Sequence, residues 1–292
     1  MNFLLFTTCD VKGGRLPEMV RLFKSISDSD EKSTELSFRH YVLLQRCSEL
    51  PEEFADFSAN NRIFIFIPNM VSLSRARNIM IKRAQLDGAF NSDGICAFPD
   101  DDAWYPDGFL DMVQSIFTSQ PDLQIFTCRY GSDPQKRILS EAKQNQGFHL
   151  SDSCGKFIQT ASSNTIFIKI QLAREVGYFD ERLGVGARIN GGEDLDYALR
   201  AFSLRDGKVA LSREKLVGHR DWTAQFRGKY FSGSLFGLAR SSHKSFCLRF
   251  QLLRKLMVGL YFVLRGEMTF LQFVLATRIG LEALRDHRVE VS

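Results

Sequence analysis

Gly94-Ile95-Cys96-Ala97-Phe98-Pro99-Asp100-Asp101-Asp102 is the stretch on which the fold of this chain turns. The apolar run closed by Pro99 reads as a buried strand, and ligands of open α/β sheets bind just beyond the carboxyl ends of such strands. Side chains alternate along extended backbone, so Asp100 and Asp102 are expected on one side and Asp101 on the other. Two carboxylates held together repel unless a cation lies between them. Hard oxygen ligands suit Mg²⁺ or Mn²⁺, and these ions commonly take a substrate's phosphates as further ligands. The stretch therefore predicts a metal-diphosphate site at a strand end.

Working outward, Phe3–Phe6 reads as a strand before a Gly13-Gly14 turn. A helix follows from about Pro17 to Ile26, with Met19, Leu22, Phe23 and Ile26 on one face and a polar loop after Asp28. Tyr41–Leu44 and Ile63–Ile67 are further strands, and Ser72 or Ser74 can cap a helix over Ser74–Gln85. Pro106 opens another over Asp107–Phe117. This alternation predicts a mainly parallel sheet flanked by helices. Further on, Ile125–Cys128, Thr165–Ile168 and Val209–Leu211 read as short strands, and Gln171–Val176 and Glu193–Leu204 as helices. One continuous catalytic-type domain to about residue 225 is the simplest division.

Residues 226–292 have a different character. Phe246–Leu264 and Phe270–Leu284 read as apolar helices punctuated by Arg249, Arg254, Lys255, Arg265 and Arg278. Such a pair can lie in a membrane interface or cover the core of the first domain, and different faces can do both. A net charge of only +4 is too mild to imply nucleic acid as a partner. The 26 phenylalanines are read as core packing, and most of the six scattered cysteines, with no Cys-x-x-Cys pair, as reduced packing residues. Met1–Phe6 lacks a basic n-region and is too short for a signal peptide, and no apolar stretch has the length of a membrane span. A cytoplasmic protein is expected, peripheral on the inner face of the membrane if the C-terminal helices touch it.

Three clusters carry the chemistry: Asp100–Asp102, Gly191-Gly192-Glu193-Asp194-Leu195-Asp196 at a helix start, and Gly218-His219-Arg220. Each alone has an ordinary reading as a solvated turn, compensation of a helix dipole, or a structural histidine. Trp104 and Tyr105 break an EF-hand pattern, and Pro99 and Pro106 break a helical prenyl-diphosphate motif through Asp101, Asp102 and Asp107.

Taken in order, the clusters resemble an inverting GT-A glycosyltransferase of family 2. Ser74-Arg75-Ala76-Arg77-Asn78 looks like that family's S-x-A-R-N helix, and Phe98–Asp102 like its L-D-x-D strand end. Gly177-Tyr178-Phe179-Asp180-Glu181 matches G-G-F-D-E with one change. Gly192–Asp196 followed by Arg200 resembles the G-x-E-D-x-D-x-x-x-R acceptor-side motif, and His219 stands where the family often carries a metal-binding histidine. The resemblance covers roughly residues 3–225, with a nucleotide-sugar half to about residue 123 and an acceptor half from about 124.

The resemblance implies roles. Asp102 and His219 would hold Mn²⁺ or Mg²⁺ on the donor diphosphate, with Asp100 and Asp101 on the donor side. Asp194 would be the general base that deprotonates the acceptor hydroxyl, and Glu193 would position the acceptor or Asp194. Arg77 could approach the diphosphate or serve as a packed ion pair. Trp222 is a candidate acceptor platform, with Trp104, Phe226 and Tyr230 as further aromatics beside the site.

The chain departs from the family at its front edge. Thr7-Thr8-Cys9-Asp10 replaces P-x-Y-N, and Leu44-Gln45-Arg46-Cys47-Ser48 replaces V-D-D-x-S. Thr8 and Gln45 then face the nucleotide, and Gln45 can offer both a donor and an acceptor to a base edge. UDP is favoured over GDP and dTDP. The expected activity is sugar transfer from a nucleotide-sugar donor to a glycan, with a lipid-linked oligosaccharide of polysaccharide biosynthesis as the favoured acceptor. A nucleotidyltransferase, faintly suggested by Lys12-Gly13-Gly14-Arg15, and a non-catalytic glycan- or nucleotide-binding relative are the alternatives.

Overall fold

The structure, a computed structural model, describes residues 1–32, 37–58, 61–134, 148–221 and 228–290. Its strands are β1 (Asn2–Asp10), β2 (Ser37–Gln45), β3 (Arg62–Ile67), β4 (Gly94–Ala97), β5 (Leu123–Gly131), β6 (His149–Leu150), β7 (Ile166–Lys169) and β8 (Lys208–Gly218). Its helices are α1 (Leu16–Lys32), α2 (Leu73–Leu86), α3 (Phe109–Ser119), α4 (Cys154–Ile158), α5 (Ile170–Val176), α6 (Glu193–Leu204), α7 (Phe231–Ser241), α8 (Phe246–Leu264) and α9 (Phe270–Glu290).

The strands form one sheet in the order β3-β2-β1-β4-β7-β5-β8-β6. The first four run parallel, β7 is antiparallel between β4 and β5, β8 is parallel to β5, and β6 is antiparallel to β8. The expected α/β class and mainly parallel mixed sheet are both present. Because β7 reverses direction once on each side, β4, β5 and β8 all end at the same edge of the sheet.

Phe3, Leu4, Leu5 and Phe6 of β1 are all buried, since a central parallel strand is covered on both faces. The period of two divides them. Leu4 and Phe6 enter the core shared with Ala76 and Met80 of α2 and Tyr197 of α6. Phe3 and Leu5 enter the core shared with Met19 and Phe23 of α1 and Phe109 of α3. Each such fully buried side chain contributes roughly 1.5–3 kcal/mol. Phe6, stacked on Tyr41, Phe90 and Phe98, serves the packing role read from the sequence, whereas Phe246, Phe250 and Phe270 are exposed.

Met19, Leu22, Phe23 and Ile26 are buried as the helical spacing predicts. The helix continues to Lys32, past the polar loop expected from Asp28, because no glycine or proline interrupts it there. At the start of α2 the cap is Ser72, whose Oγ accepts from the Arg75 amide; Ser74 Oγ donates instead to the Leu183 carbonyl at 2.6 Å. β8 extends well beyond Val209–Leu211, because after a register shift over Ser212–Glu214 Lys215 pairs with Arg129 of β5, and Leu216 and Val217 return to the core.

Two features depart from the sequence reading. Cys154 of α4 and Cys247 of α8 form a disulfide, a pairing absent from the expectation that most of the cysteines are reduced packing residues. Their separation of 93 positions leaves no local signal. Cys9, Cys96 and Cys128 are buried and unbridged, as expected of packing residues.

The second departure is α7, which contains Gly233 and Gly237 and so has weak intrinsic helix propensity. Close packing explains the glycines. A Cβ on Gly233 would fall 2.0 Å from the Gly191 carbonyl oxygen, and one on Gly192 would fall 2.1 Å from the Gly233 carbonyl carbon. Gly192 also sits at φ +82°, which glycine adopts without strain. The inner faces of α8 and α9 then cover α7, with Leu252, Leu256, Phe273, Ala276 and Ala283 packed on Phe231, Leu235 and Phe236. No helix among the described residues is long and apolar enough to cross a membrane.

Candidate active site

The carboxyl ends of β1, β2, β4 and β8 open into one cleft of about 1170 Å³. Thr8, Gln45, Arg15, Asp100, Asp101, Asp102, Glu193, Asp194, His219 and Arg220 all line it. The structure thus gathers nearly every residue singled out from sequence. Trp222 and Phe226 lie outside the described residues.

The aspartate triplet is not extended backbone. The Ala103 amide donates to the Asp100 carbonyl at 3.1 Å, so the chain turns through the triplet, and strict alternation of its side chains does not hold. The reason is a long-range pairing: Trp104 must leave the strand line to pair with Gly218, through bonds of 3.0 and 2.9 Å. Gly218 is required there because a Cβ would stand 2.0 Å from the Trp104 ring. This bridge brings the end of β8 beside the end of β4, and so His219 beside Asp102.

His219 Nε2 lies 3.0 Å from Asp102 Oδ1. Arg15 donates to Asp101 at 3.0 Å and to Asp102 at 2.9 Å, and Arg220 Nε reaches Asp102 Oδ2 at 3.0 Å. Arg21 donates to the Asp102 carbonyl and stacks 3.8 Å above the Trp104 ring. Burial alone would raise the Asp102 pKa, but the His219 bond and charge, with Arg15 and Arg220, pull it down to about 2. Burial pushes Asp101 up to about 6 against the pull of Arg15, with the charges of Asp102 and Asp100 adding. Burial would lower the His219 pKa, yet its bond to Asp102 raises it. Arg15 and Arg220 were not selected from sequence as site residues; the signals for them were the Gly13-Gly14 turn before one and the histidine before the other.

Asp100 is held separately. Its amide donates to Asn164 Oδ1 at 2.7 Å, and Asn164 Nδ2 returns a bond to its Oδ2 at 2.9 Å. Arg77, almost fully buried, donates through Nη2 to Asp100 at 3.0 Å and through Nη1 to Asp194 at 2.7 Å. The other oxygen of Asp194 accepts from the Ser163 amide at 3.1 Å. Both oxygens of Asp194 are therefore oriented by fixed donors. Of the two readings open for Arg77, the structure displays the ion pair.

Glu193, the first residue of α6, is buried behind Asp194 with Oε2 lacking a hydrogen-bond partner among the described residues. Burial, with the charge of Asp194 adding, raises its pKa to about 8. Gln45 Nε2 donates to Thr8 Oγ1 at 3.1 Å, and Gln45 Oε1 accepts from the Val71 amide at 2.7 Å. Both residues of the sequence-predicted nucleotide edge are therefore joined. Tyr230 and Ser234, beside and within α7, close the far rim of the cleft.

One ligand atom each from Asp100, Asp102 and His219 lies within 4.8 Å of the other two. Two carboxylates and an imidazole suit Mn²⁺ or another divalent ion that accepts mixed oxygen and nitrogen ligands. His219 Nδ1 lies 2.8 Å from the Arg220 carbonyl oxygen. A proton on Nδ1 satisfies that carbonyl and leaves Nε2 facing Asp102, the arrangement a metal-binding imidazole uses. The donor set fits a divalent ion.

No family model and no curated protein matches the sequence. Solved structures do match the fold. TarS 1-349 of S. aureus aligns with a TM-score of 0.64 at 15% identity, over 97% of this chain and 81% of that one. The same protein in complex with UDP-GlcNAc aligns at 0.62 and 14% identity, over 97% and 82%. The mannosyltransferase PcManGT from Pyrobaculum calidifontis, in complex with GDP-Man and Mn²⁺, aligns at 0.58 and 11% identity, over 98% and 75%. The fold is that of the GT-A glycosyltransferases, a Rossmann-like mixed sheet followed here by C-terminal helices.

Proposed function

We propose that this chain is an inverting glycosyltransferase of family 2, moving a sugar from a nucleoside diphosphate donor, UDP favoured, to a glycan acceptor. The carrying observation is the placement of two groups side by side in one cleft: the Asp100, Asp102 and His219 set and, joined to Asp100 through Arg77, the oriented carboxylate of Asp194. The bound UDP-GlcNAc and GDP-Man of the two fold relatives, with Mn²⁺ in one, support a nucleotide-sugar donor and a divalent ion.

Asp102 and His219 would hold Mn²⁺ or Mg²⁺, with Asp100 alongside. Such an ion supplies Lewis-acid neutralisation of charge on the departing diphosphate. Arg15 and Arg220, already on the cleft wall beside Asp102, add mobile positive charge for the same phosphates. Thr8 and Gln45 face the nucleotide, and Asp101 supports the donor side through Arg15.

Asp194 accepts the acceptor hydroxyl proton while the acceptor oxygen bonds to the anomeric carbon and the bond to the diphosphate breaks. Arg77 and the Ser163 amide fix the direction from which that carboxylate acts. Glu193 supports Asp194 from behind, and Trp222 remains a proposed acceptor platform. Residues 1–225 form the catalytic unit, with Tyr230 and Ser234 of the C-terminal region completing its rim. A lipid-linked oligosaccharide of polysaccharide biosynthesis is the favoured acceptor, reached from the cytoplasmic face.

The test is nucleoside diphosphate release from UDP-, GDP- and dTDP-sugars, with and without Mn²⁺ or Mg²⁺, for the wild type and Asp102→Asn. Metal-dependent release from one donor, abolished by the substitution, is expected. Pyrophosphate as the released product would replace this reading with a nucleotidyltransferase. Tight donor binding without turnover, with acceptor glycans supplied, would leave a non-catalytic binding protein.

A further inference from the structure

Helix α8 carries two apolar faces, and only one is used. Leu248, Leu252, Leu256 and Gly259 face inward onto the core and the neighbouring helices. On the opposite side Phe246, Phe250, Leu253, Met257, Leu260, Tyr261 and Leu264 follow one another at three- and four-residue steps, a continuous stripe along the helix. All are exposed, Phe246 and Leu264 by about four fifths of their surface (82% and 79%). Phe270, Leu271, Val274, Leu275 and Leu281 of α9 add a second exposed apolar set. A soluble surface rarely leaves so large a contiguous patch without an occupant.

The charges beside the stripe select that occupant. Arg249 and Arg254 flank it on α8, Arg265 stands at its end, and Arg278 lies within the α9 set. Helix α8 contains no acidic residue. Arg265 pairs with Glu267, whereas Arg249, Arg254 and Arg278 have no acidic partner among the described residues. An apolar stripe edged by cations is the pattern of a helix lying in a lipid interface, with aliphatic stems along the acyl boundary and guanidinium groups among phosphates. A second copy of this chain is a poorer fit. Two such stripes face to face would set arginine rims against each other, without the alternating charges that pair helices.

We infer that the α8–α9 face is a docking surface for an anionic lipid bilayer, entered by the α8 stripe and held by Arg249, Arg254 and Arg278. The two helices pack on α7, and Ser234 of α7 lines the cleft, so docking sets the acceptor rim close to the lipid surface. The surface is independent of the transfer reaction, and failure of either reading leaves the other standing.

Co-sedimentation of the full chain tests this with vesicles of phosphatidylcholine containing about 30 mol % phosphatidylglycerol, and of phosphatidylcholine alone. The wild type is expected to pellet with the anionic vesicles and to bind the neutral ones about tenfold less or weaker. Leu253→Gln with Met257→Gln should weaken binding by about a hundredfold. Arg249→Gln with Arg254→Gln should weaken it by about tenfold, on anionic vesicles only. All four side chains are exposed, so the variants should melt as the wild type does, which circular dichroism checks. A wild type that stays in the supernatant, or variants that bind equally well, would overturn the inference. So would a wild-type dimer in sedimentation velocity that Leu253→Gln with Met257→Gln dissociates, because the face would then belong to a second copy.

Discussion

The guanidinium of Arg77 donates to Asp194 Oδ1 at 2.7 Å from a position almost wholly out of water. Its second arm holds Asp100, so one buried cation ties the metal side of the cleft to the proposed base. Removing it leaves the two carboxylates beside each other, with Glu193 behind them. Arg77→Met should therefore destabilise the chain by about 2–3 kcal/mol, below the usual range of about 3–5 kcal/mol because both aspartates keep some contact with water. Urea unfolding of wild type and variant measures this. An unchanged midpoint would mean that the pair is structurally idle.

Glu193 gives stability a distinctive pH dependence. Its carboxyl, buried with Oε2 unpartnered, titrates near 8 in the folded chain, against an ordinary value of 4.5. Between those values the folded state binds the extra proton. Its contribution is full below pH 4.5 and is lost as pH rises through about 8. Glu193→Gln copies the protonated form and should remove that loss. Melting temperatures of both proteins from acid to mildly alkaline pH check it; parallel curves would contradict the assignment.

Gly218 joins two strand ends through its bridge to Trp104. A methyl group there would need to occupy space 2.0 Å from the indole, so Gly218→Ala must push Trp104 or the end of β8 aside. The expected cost is about 1–3 kcal/mol. Because His219 follows directly, Mn²⁺ affinity should also fall by at least about tenfold, as read by electron paramagnetic resonance titration. Intact metal binding would show that His219 is positioned by some other contact.

The Cys154–Cys247 bridge closes a loop of 93 residues and ties α4 to the C-terminal helix α8. Loop entropy alone sets an upper value of about 4.7 kcal/mol, and loss of the bridge through Cys154→Ser with Cys247→Ser should lower stability by about 2–4 kcal/mol, the typical range for a disulfide. Peptide mapping without reductant should recover the linked pair, and two free thiols there would contradict the bridge.

Much of this molecule was legible in its sequence because the decisive signals are local. The buried run before Asp100, the apolar run Phe3–Phe6 and the apolar stripe of α1 each report an element from its own residues. The ordered motifs around Arg77, Asp100–Asp102, Asp194 and His219 anticipated residues that the fold brings to one cleft. What stayed hidden depends on distance along the chain. Arg15 meets Asp101 and Asp102 across more than eighty residues, β7 enters the sheet against the direction of its neighbours, and Cys154 finds Cys247 only after α8 has folded back. Helix α7 was masked by its own glycines, which are unfavourable locally; Gly233 is needed because Gly191 and Gly192 press against it, and Gly237 faces the Asp196 backbone. The turn through the triplet was missed because its cause, the pairing of Trp104 with Gly218, lies over a hundred residues downstream.

Asp194 is the group whose loss most directly tests sugar transfer in this cleft. With the donor that releases nucleoside diphosphate identified, donor affinity and turnover should be measured together for the wild type and Asp194→Asn, with metal and acceptor present. Donor binding should stay close to the wild type while turnover falls by about 10²–10⁴-fold, the range for removal of a general base. Turnover within a few fold of the wild type would contradict this role and move the base to another residue of the cleft.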